Sequence, residues 1–363
     1  MIKISDGTIG AREFASIVVM TIGLKLSDTT PTFLFLSGGN AGWLLPLFSF
    51  LIFVVPFLVL LSVLKKHPGK GLMELVFDLT GKAGGMASSF AFFVIMLLTT
   101  IVNSRIYVDI VNTMVYQRTP IAALYIILIG AACFVASRGF EAIGRVAWIV
   151  IPYVYVIFIL LFFFVWEYID WLHLFPIAGP GVKTLAKEGL FHTSLYGEMF
   201  LLTAMIPLVR TDRKYRTASL IGFGLSVLNM IAATAVYIAV FDYPTVRELA
   251  YPFQQLTRAA QIGQVITHVE SIFFFFWLIC SVIHFAIYLH LTAYFFARIW
   301  GKNGFKQFIA PFSGLIVAMG LIPENNTIAV NIRGTLIEWL SLIYILFPLL
   351  LWGLDKRRRR KAA

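Results

Sequence analysis

The chain has 363 residues, of which 60% are hydrophobic and only 13% carry a charge. Soluble domains average roughly 45–50% apolar and about 25% charged residues, so this composition excludes a soluble protein and predicts an all-α polytopic membrane protein. The net charge of +11 does not indicate nucleic-acid binding, because the basic residues lie in short loops and in a C-terminal tail. Cys133 and Cys280 both lie in apolar runs and predict neither a disulfide framework nor a metal site.

Apolar runs long enough to cross a membrane recur along the chain, since a helix needs about 20 residues to span roughly 30 Å of hydrocarbon. We predict about ten such helices, at 11–36, 43–64, 86–115, 121–137, 146–166, 187–209, 217–241, 262–297, 305–322 and 333–354. Most of the 29 Lys and Arg residues fall in alternate loops, on the side that holds the N-terminus. The positive-inside rule therefore predicts that both termini are cytoplasmic. On this topology Arg333 is assigned to an outer loop.

The sequence predicts one transmembrane domain, residues 1–355, followed by a basic tail, 356–363, at the inner leaflet. The outer loop 242–261 carries apolar side chains at near-helical spacing, at Val246, Leu249, Phe253 and Leu256. This spacing predicts a short helix on the outer surface, which either packs at the interface or acts in gating or partner docking.

The first predicted helix is interrupted near its middle by residues that are costly in hydrocarbon. Within nine residues the chain places Gly23, Lys25, Ser27, Asp28, Thr29, Thr30 and Pro31. Such residues are tolerated where unwound backbone is buried in protein or lines a polar cavity. We therefore predict a discontinuous helix with a small-molecule site at its break. Lys25 and Asp28 are expected to pair, either as a structural ion pair or as the border of a ligand pocket with the neighbouring hydroxyls.

A second interruption falls in the sixth predicted helix, where Tyr196, Gly197 and Glu198 lie near the centre. Glycine weakens helical structure there. Glu198 has no basic neighbour in the sequence, so it faces a partner or a water cavity, or is a buried protonated carboxyl bonded to a neighbouring helix. Broken helices at positions one and six of ten predict two inverted repeats of five helices, about 9–166 and 187–354, with the binding site at the breaks.

Further candidates lie on the third and eighth helices. The third helix carries Arg105 and Asp109, whose spacing of four places them on one face and predicts an ion pair. A structural role for this pair is favoured over a ligand contact, and both stay open. Glu270, in the eighth helix, is a candidate for an outer vestibule or for a bond to the surface helix. The full set of candidate ligand-binding residues is Gly23, Lys25, Ser27, Asp28, Thr29, Thr30, Asn103, Tyr107, Tyr196, Gly197, Glu198 and Glu270.

Several segments resemble a known family in their order and spacing. They are ISDGTIGAREF near the start, GLKLSDTTP at the first break, LFPIAGPG in an outer loop, YGEMFLLTAMIPLV at the second break and YPFQQLTRAAQIGQVITHVESIFFFFW leading into the eighth helix. Together they resemble the B subunits of spore germinant receptors (the GerAB type), which belong to the amino acid–polyamine–organocation transporter superfamily. The resemblance extends over essentially the whole chain.

The resemblance implies a ten-helix LeuT-like fold in the inner membrane of a bacterial spore. It implies two partners, a germinant receptor A subunit that is itself a membrane protein and a C-subunit lipoprotein. It also implies that the chain senses a small nutrient germinant of the amino-acid class, at a site formed by the segments Gly23 to Thr30 and Tyr196 to Glu198. Our leading hypothesis places this germinant between helices one, three, six and eight. Lys25 and Asp28 depart from what a plain zwitterionic amino acid needs, so a different germinant, or a copy that has lost ligand binding, stays open.

Two other functions stay open on the sequence. One is a secondary transporter of amino acids or other small organic solutes, which would use the same pocket. The other is a structural subunit with no ligand. No motif typical of a catalytic, nucleotide-binding or metal-binding site appears, so we predict no enzyme activity and no cofactor.

Overall fold

The computed structural model describes residues 7–209, 212–260, 269–301 and 304–362. Within these ranges the chain forms helices and no β-strand, apart from one isolated bridge between Ile9 and Val209. The α-helices are α1 (Ala11–Ile22), α2 (Thr30–Gly38), α3 (Leu45–Lys65), α4 (Leu72–Met114), α5 (Ile121–Ser137), α6 (Phe140–Val165), α7 (Val182–Phe191), α8 (Gly197–Leu202), α9 (Asp212–Phe241), α10 (Tyr243–Glu248), α11 (Pro252–Ala259), α12 (Val269–Ile299), α13 (Ile309–Gly320) and α14 (Asn326–Ala362). The prediction of an all-α protein is confirmed.

Six stretches of the described residues are long and apolar enough to cross a membrane. They are Thr30–Lys65, Leu72–Met114, Phe140–Tyr168, Tyr215–Phe241, Glu270–Ile299 and Asn326–Lys361, and the shorter α5 is also apolar. The chain is therefore a multi-pass membrane protein. The count of ten crossings stays a prediction, because several of the other helices are short. The first residues of the predicted run 262–297 lie outside the described part of the chain.

The first predicted helix is discontinuous, as expected. α1 ends at Ile22, a 3-10 turn covers Gly23–Ser27, and α2 begins at Thr30. Between them Asp28 has extended backbone, with φ −104° and ψ −151°. Pro31 stands in the first turn of α2, where its fixed φ suits a helix start and its missing N–H would have had no partner. The residues that the sequence singled out thus end α1 and begin α2.

The sixth predicted helix is also divided, and more extensively than expected. α7 ends at Phe191, a 3-10 turn covers Thr193–Tyr196, and α8 is only six residues long. A second 3-10 turn, Thr203–Leu208, contains Pro207, which cannot donate the hydrogen bond that a regular helix needs. Discontinuities in the first and sixth predicted helices are confirmed, whereas the division into repeats at 9–166 and 187–354 stays a prediction.

The two breaks are enclosed between two groups of packed helices. In one group α12 packs against α4 and α5, and α13 packs against α5. In the other α1 packs against α9 and α6, and α3 packs against α7. α14 joins the groups, because it contacts α3, α4 and the 3-10 turn of the second break. Backbone freed by each break is thereby buried in protein, as its polar groups require within a membrane.

The predicted surface helix is present as two short helices, α10 and α11. Val246, Phe253 and Leu256 turn inward and are buried. α11 contacts α9, α12 and the 3-10 turn of the first break. The surface helix is therefore in direct contact with the interrupted backbone.

Candidate ligand-binding site

An ion pair joins the two helix breaks. Lys25 Nζ lies 2.6 Å from Glu198 Oε2 and donates a second hydrogen bond, of 2.7 Å, to the Leu195 carbonyl. The other carboxylate oxygen, Glu198 Oε1, accepts a 2.6 Å hydrogen bond from the Tyr288 hydroxyl of α12. Both charged side chains are nearly inaccessible, 6% and 7% exposed. Glu198 therefore has the partner that the sequence did not reveal, and the two breaks meet through it.

The predicted pairing of Lys25 with Asp28 is wrong, because Asp28 pairs with Arg333. Arg333 Nη2 lies 2.8 Å from Asp28 Oδ2. The same guanidinium donates 2.7 Å hydrogen bonds to the hydroxyls of Thr29 and Thr30. The 3-10 turn directs Lys25 to the opposite break, whereas the extended backbone at Asp28 directs its carboxylate to α14.

The assignment of Arg333 to an outer loop is also wrong. α14 begins at Asn326, so Arg333 lies about two turns inside this helix and is 5% exposed. A buried charge is stable only when it is paired and hydrogen-bonded, and Asp28 with the two threonine hydroxyls meets that need. No signal in the sequence pairs Arg333 with Asp28, because the two residues are 305 positions apart.

The carbonyl groups freed by the first break are bonded by side chains from other helices. The Gln254 side chain of α11 donates a 2.9 Å bond to the Ser27 carbonyl, and the Tyr237 hydroxyl of α9 donates a 2.9 Å bond to the Leu26 carbonyl. Trp277 of α12 donates from Nε1 to the Ser27 hydroxyl at 3.0 Å. These partners replace the hydrogen bonds of a continuous helix. Sequence reasoning missed all three donors, because nothing in their spacing ties them to residues 23–30.

A small cavity of about 40 Å³ lies between the breaks. The polar residues in its lining include Lys25, Glu198, Ser194, Asn103 and Arg333. Pockets that enclose small organic ligands commonly measure about 300–1,000 Å³. The site is therefore closed in this structure and has to expand before it can admit a solute.

Asn103 and Tyr107, both on α4, occupy different surroundings. Asn103 lines the cavity. The ring of Tyr107 stacks on Trp277, with centroids 5.1 Å apart and planes at 12°. The buried Tyr107 hydroxyl has no hydrogen-bond partner among the described residues, an arrangement that costs free energy. A ligand or a water molecule beside this hydroxyl would supply the missing bond.

Tyr196 and Gly197 support the break by packing. The Tyr196 hydroxyl donates a 2.8 Å bond to the Pro46 carbonyl at the start of α3, so it is committed to the protein. A Cβ atom at Gly197 would overlap the ring of Tyr344, so only glycine lets α14 approach α8 this closely. The ligand role predicted for these two residues is untested, and their contacts in this structure are structural.

Glu270 is not one of the described residues that line the cavity. It lies at the start of α12, seven residues before Trp277, which is about 10 Å along a helix. The predicted Arg105–Asp109 pair is confirmed, with a distance of 2.9 Å. Arg105 also donates to the Gly320 carbonyl at 3.2 Å, so this pair joins α4 to α13 and has a structural role.

Comparison with known proteins identifies the family. A sequence profile of the family described as "spore germination protein" matches residues 13–328, which include both breaks. The chain belongs to the spore germination protein family. This confirms the resemblance seen in the sequence, and with it the expectation of a membrane subunit of a spore germinant receptor.

Two relatives of this spore germination protein match it over nearly its whole length, and a third matches about half of it, all at low identity. Spore germination protein KB of Bacillus subtilis (strain 168) is 20% identical, over 96% of this chain and 95% of that protein. The putative spore germination protein YfkT of the same organism is 22% identical, over 95% and 94%. Spore germination protein GerLB of Bacillus cereus is 28% identical over a shorter region, 48% of this chain and 46% of that protein.

A solved structure with a similar fold is Mhp1, a nucleobase-cation-symport-1 family transporter in a closed conformation with bromovinylhydantoin bound. The TM-score is 0.65 at 13% sequence identity, over 95% of this chain and 79% of Mhp1. The similarity confirms the predicted LeuT-like transporter fold.

Proposed function

We propose that this subunit senses a small zwitterionic nutrient, of the amino-acid class, that binds between the two helix breaks. One observation carries the proposal: Lys25 and Glu198, one from each break, form a buried ion pair beside the closed cavity. A ligand with both an ammonium and a carboxylate can replace this contact, with its carboxylate on Lys25 and its ammonium on Glu198. The breaks would then separate while both buried charges stay paired.

Charge balance makes the proposed site selective for zwitterions. A ligand with one charge would leave either Lys25 or Glu198 without a partner, and an uncompensated buried charge costs about 3–5 kcal/mol. A protein carboxylate already binds the N-terminus of α2, because Asp28 Oδ1 accepts a 2.6 Å hydrogen bond from the Thr30 N–H. Glu198 likewise stands in the first turn of α8. A ligand carboxylate is therefore directed to Lys25 and not to a helix N-terminus.

Binding would reach the rest of the receptor through the same opening. A ligand that prefers the expanded site stabilises that conformation by its difference in affinity for the two states. α14 would move with the site, because Arg333 holds α14 to the first break. We infer that an A subunit in the spore inner membrane and a C-subunit lipoprotein read this change.

Ligand binding to the purified full-length protein tests the proposal. We expect thermal stabilisation by free amino acids, and none by their amides or N-acetyl derivatives, which each carry one charge. Glu198→Gln should abolish the stabilisation. Glu141→Gln, which removes a more exposed carboxylate paired with Arg145, should leave it unchanged. Stabilisation by singly charged analogues, or a normal germination response of Glu198→Gln spores at unchanged dose, would contradict the proposed site.

Reconstitution into liposomes tests the transporter alternative that the Mhp1-like fold permits. A sensor should bind its nutrient without sustained flux. A secondary transporter should accumulate the nutrient inside the liposomes, driven by an imposed ion gradient. Robust gradient-driven uptake would replace the sensor proposal with a transport function at the same site.

A further inference from the structure

A second cavity, much larger than the one between the helix breaks, lies beside that site and not in it. It measures about 410 Å³ and is bounded by α6, α9 and α11. Each helix contributes apolar residues to its wall, for example Phe158 from α6, Val236 from α9 and Phe253 from α11. Leu26 of the first break closes one side. Among the described residues that line it none carries a charge. Its volume lies in the range of small-molecule pockets, about 300–1,000 Å³.

The cavity opens on the apolar outer surface of the bundle. Ile159, which lines it, is 67% exposed, and Ala232 on the opposite wall is also exposed. Phe163 on α6 and Leu228 on α9 continue this exposed apolar surface. In a multi-pass membrane protein such a surface is in contact with lipid. The cavity is therefore a lateral groove in the lipid-facing surface.

Three polar side chains that line the groove, Tyr155, Asn229 and Tyr237, each take part in a hydrogen bond with another protein group. Asn229 Nδ2 donates a 2.9 Å bond to the Tyr155 hydroxyl, so this pair bridges α9 and α6 and does not call for a polar ligand. At the rim Trp171 is half exposed, in a 3-10 turn that follows α6. Tryptophan favours the boundary between hydrocarbon and head groups. The groove thus runs from an interfacial tryptophan into an apolar interior.

We propose that this groove binds one acyl chain of a membrane phospholipid. An empty apolar groove of this size would leave its lining atoms without dispersion contacts on one side, and lipid tails are the apolar molecules that reach this surface. An uncharged wall with its polar groups internally bonded suits a hydrocarbon chain and disfavours a charged solute. Trp171 places the chain's glycerol end at the rim.

The bound chain would contact the back of the first helix break. Leu26 lines the groove, and its carbonyl accepts the bond from the Tyr237 hydroxyl, whose ring also lines the groove. Two smaller cavities of about 30 Å³ each continue from the groove along α6, and Phe158 lines all three. An acyl chain here would brace Leu26 and Tyr237 and so favour the closed arrangement of the break.

Photocrosslinking tests the proposal on the full-length protein in lipid nanodiscs. The probe is a phosphatidylglycerol that carries a photoreactive diazirine on one acyl chain, and the modified residues are mapped by mass spectrometry. We expect labelling at 155–162 and 229–236 to exceed, by at least several-fold, that of the equally exposed Ile126 and Ile127 on α5. Ala232→Phe, which fills the groove from an exposed position, should remove the excess and leave the α5 labelling as an internal reference.

Ala131→Phe is the matched control, because Ala131 is exposed on α5 away from the groove. It should leave both signals unchanged. If Ala232→Phe is not recovered as a folded protein, Ala235→Leu adds a smaller side chain to the same wall and gives the same test. Labelling in proportion to exposure alone, or an excess that survives the filled groove, would overturn the proposal. Loss of the excess when the other receptor subunits are co-expressed would instead assign the groove to a protein partner, which also overturns it.

Discussion

Lys25 and Glu198 are separated by 173 positions in the chain, and their contact holds the site together at the scale of single residues. Each side chain has a neutral second partner, the Leu195 carbonyl for Lys25 and the Tyr288 hydroxyl for Glu198. Removing one charge leaves the other buried with only that neutral partner. Removing both leaves no charge to compensate. Substitutions of the two residues should therefore have strongly non-additive effects on the free energy of unfolding.

A double-mutant cycle measures that coupling. We expect Lys25→Met and Glu198→Met each to lower the free energy of unfolding by about 3–5 kcal/mol, whereas the double variant should cost much less than the sum. Denaturation of the purified protein in detergent gives the values. Additive effects of the two substitutions would show that the ion pair does not form in the folded protein. The double variant should fold but fail to bind the nutrient, which separates stability from ligand recognition.

At the scale of helices and turns, each break depends on a contact supplied by another element. α14 approaches α8 closely only because Gly197 has no side chain, and α11 caps a carbonyl of the first break through Gln254. Both contacts involve short segments that could not form a stable helix in isolation. The neighbouring long helices therefore determine the geometry of the breaks.

Gly197→Ala tests the approach of α14 to α8. The added Cβ would overlap the Tyr344 ring, so we expect a loss of about 1–3 kcal/mol, as for other overpacked sites, and a weaker germination response. Gly224→Ala on α9 is the control, because nothing lies within 4 Å of its Cβ position. The control should be neutral or stabilising by up to about 1 kcal/mol through higher helix propensity. Equal thermal stability of the two variants would contradict the packing role of Gly197.

Gln254→Leu tests the cap that α11 places on the first break. The substitution leaves the buried Ser27 carbonyl without its donor, and we expect a cost of about 1–3 kcal/mol. Gln255→Leu, at the adjacent half-buried position, makes the same chemical change and should have little effect. Thermal unfolding compares the two. If the two variants are destabilised equally, the cause is the replacement of Gln by Leu anywhere on α11 and not the loss of the hydrogen bond to the Ser27 carbonyl.

At the scale of the whole molecule, the distribution of Lys and Arg along the chain predicts one orientation in the membrane. The positive-inside rule predicts that both termini lie in the cytoplasm. α14 continues through the basic segment Lys356 to Lys361 as one helix, so these charges would project from the inner leaflet. Orientation decides which end of the site a nutrient can enter, and it is a property that packing alone does not determine.

Reporter fusions test this orientation in a bacterial host. Two reporters are fused at each point, a fluorescent protein that is active in the cytoplasm and alkaline phosphatase that is active outside it. After residue 363 or after Gly139 the fluorescent fusion should be active and the phosphatase fusion inactive, because an even number of predicted crossings precedes each point. A fusion after Arg118 should give the opposite result, with three crossings before it. A phosphatase-active C-terminal fusion would invalidate the assignment of ten crossings with both termini inside.

The residues that interrupt helices were readable in the sequence, because charge, glycine and proline inside an apolar run conflict with hydrocarbon locally. This local conflict predicts the helix breaks at Gly23 to Pro31 and around Gly197. Membrane location, the all-α class and the surface helix of 242–261 follow from composition and from periodicity in the same way. Each of these patterns can be recognised within a stretch of about 20 residues.

Only the tertiary structure decided how the charges pair. Lys25 lies three residues from Asp28, so the sequence predicts that they pair, but a 3-10 turn and an extended residue direct the two side chains to different helices. Their true partners, Glu198 and Arg333, come from segments whose distance in space depends on the packing of the whole bundle. The lipid-facing groove also needed three helices in place. Local chemistry thus determined where this protein's helices break, and long-range packing determined what meets at the breaks.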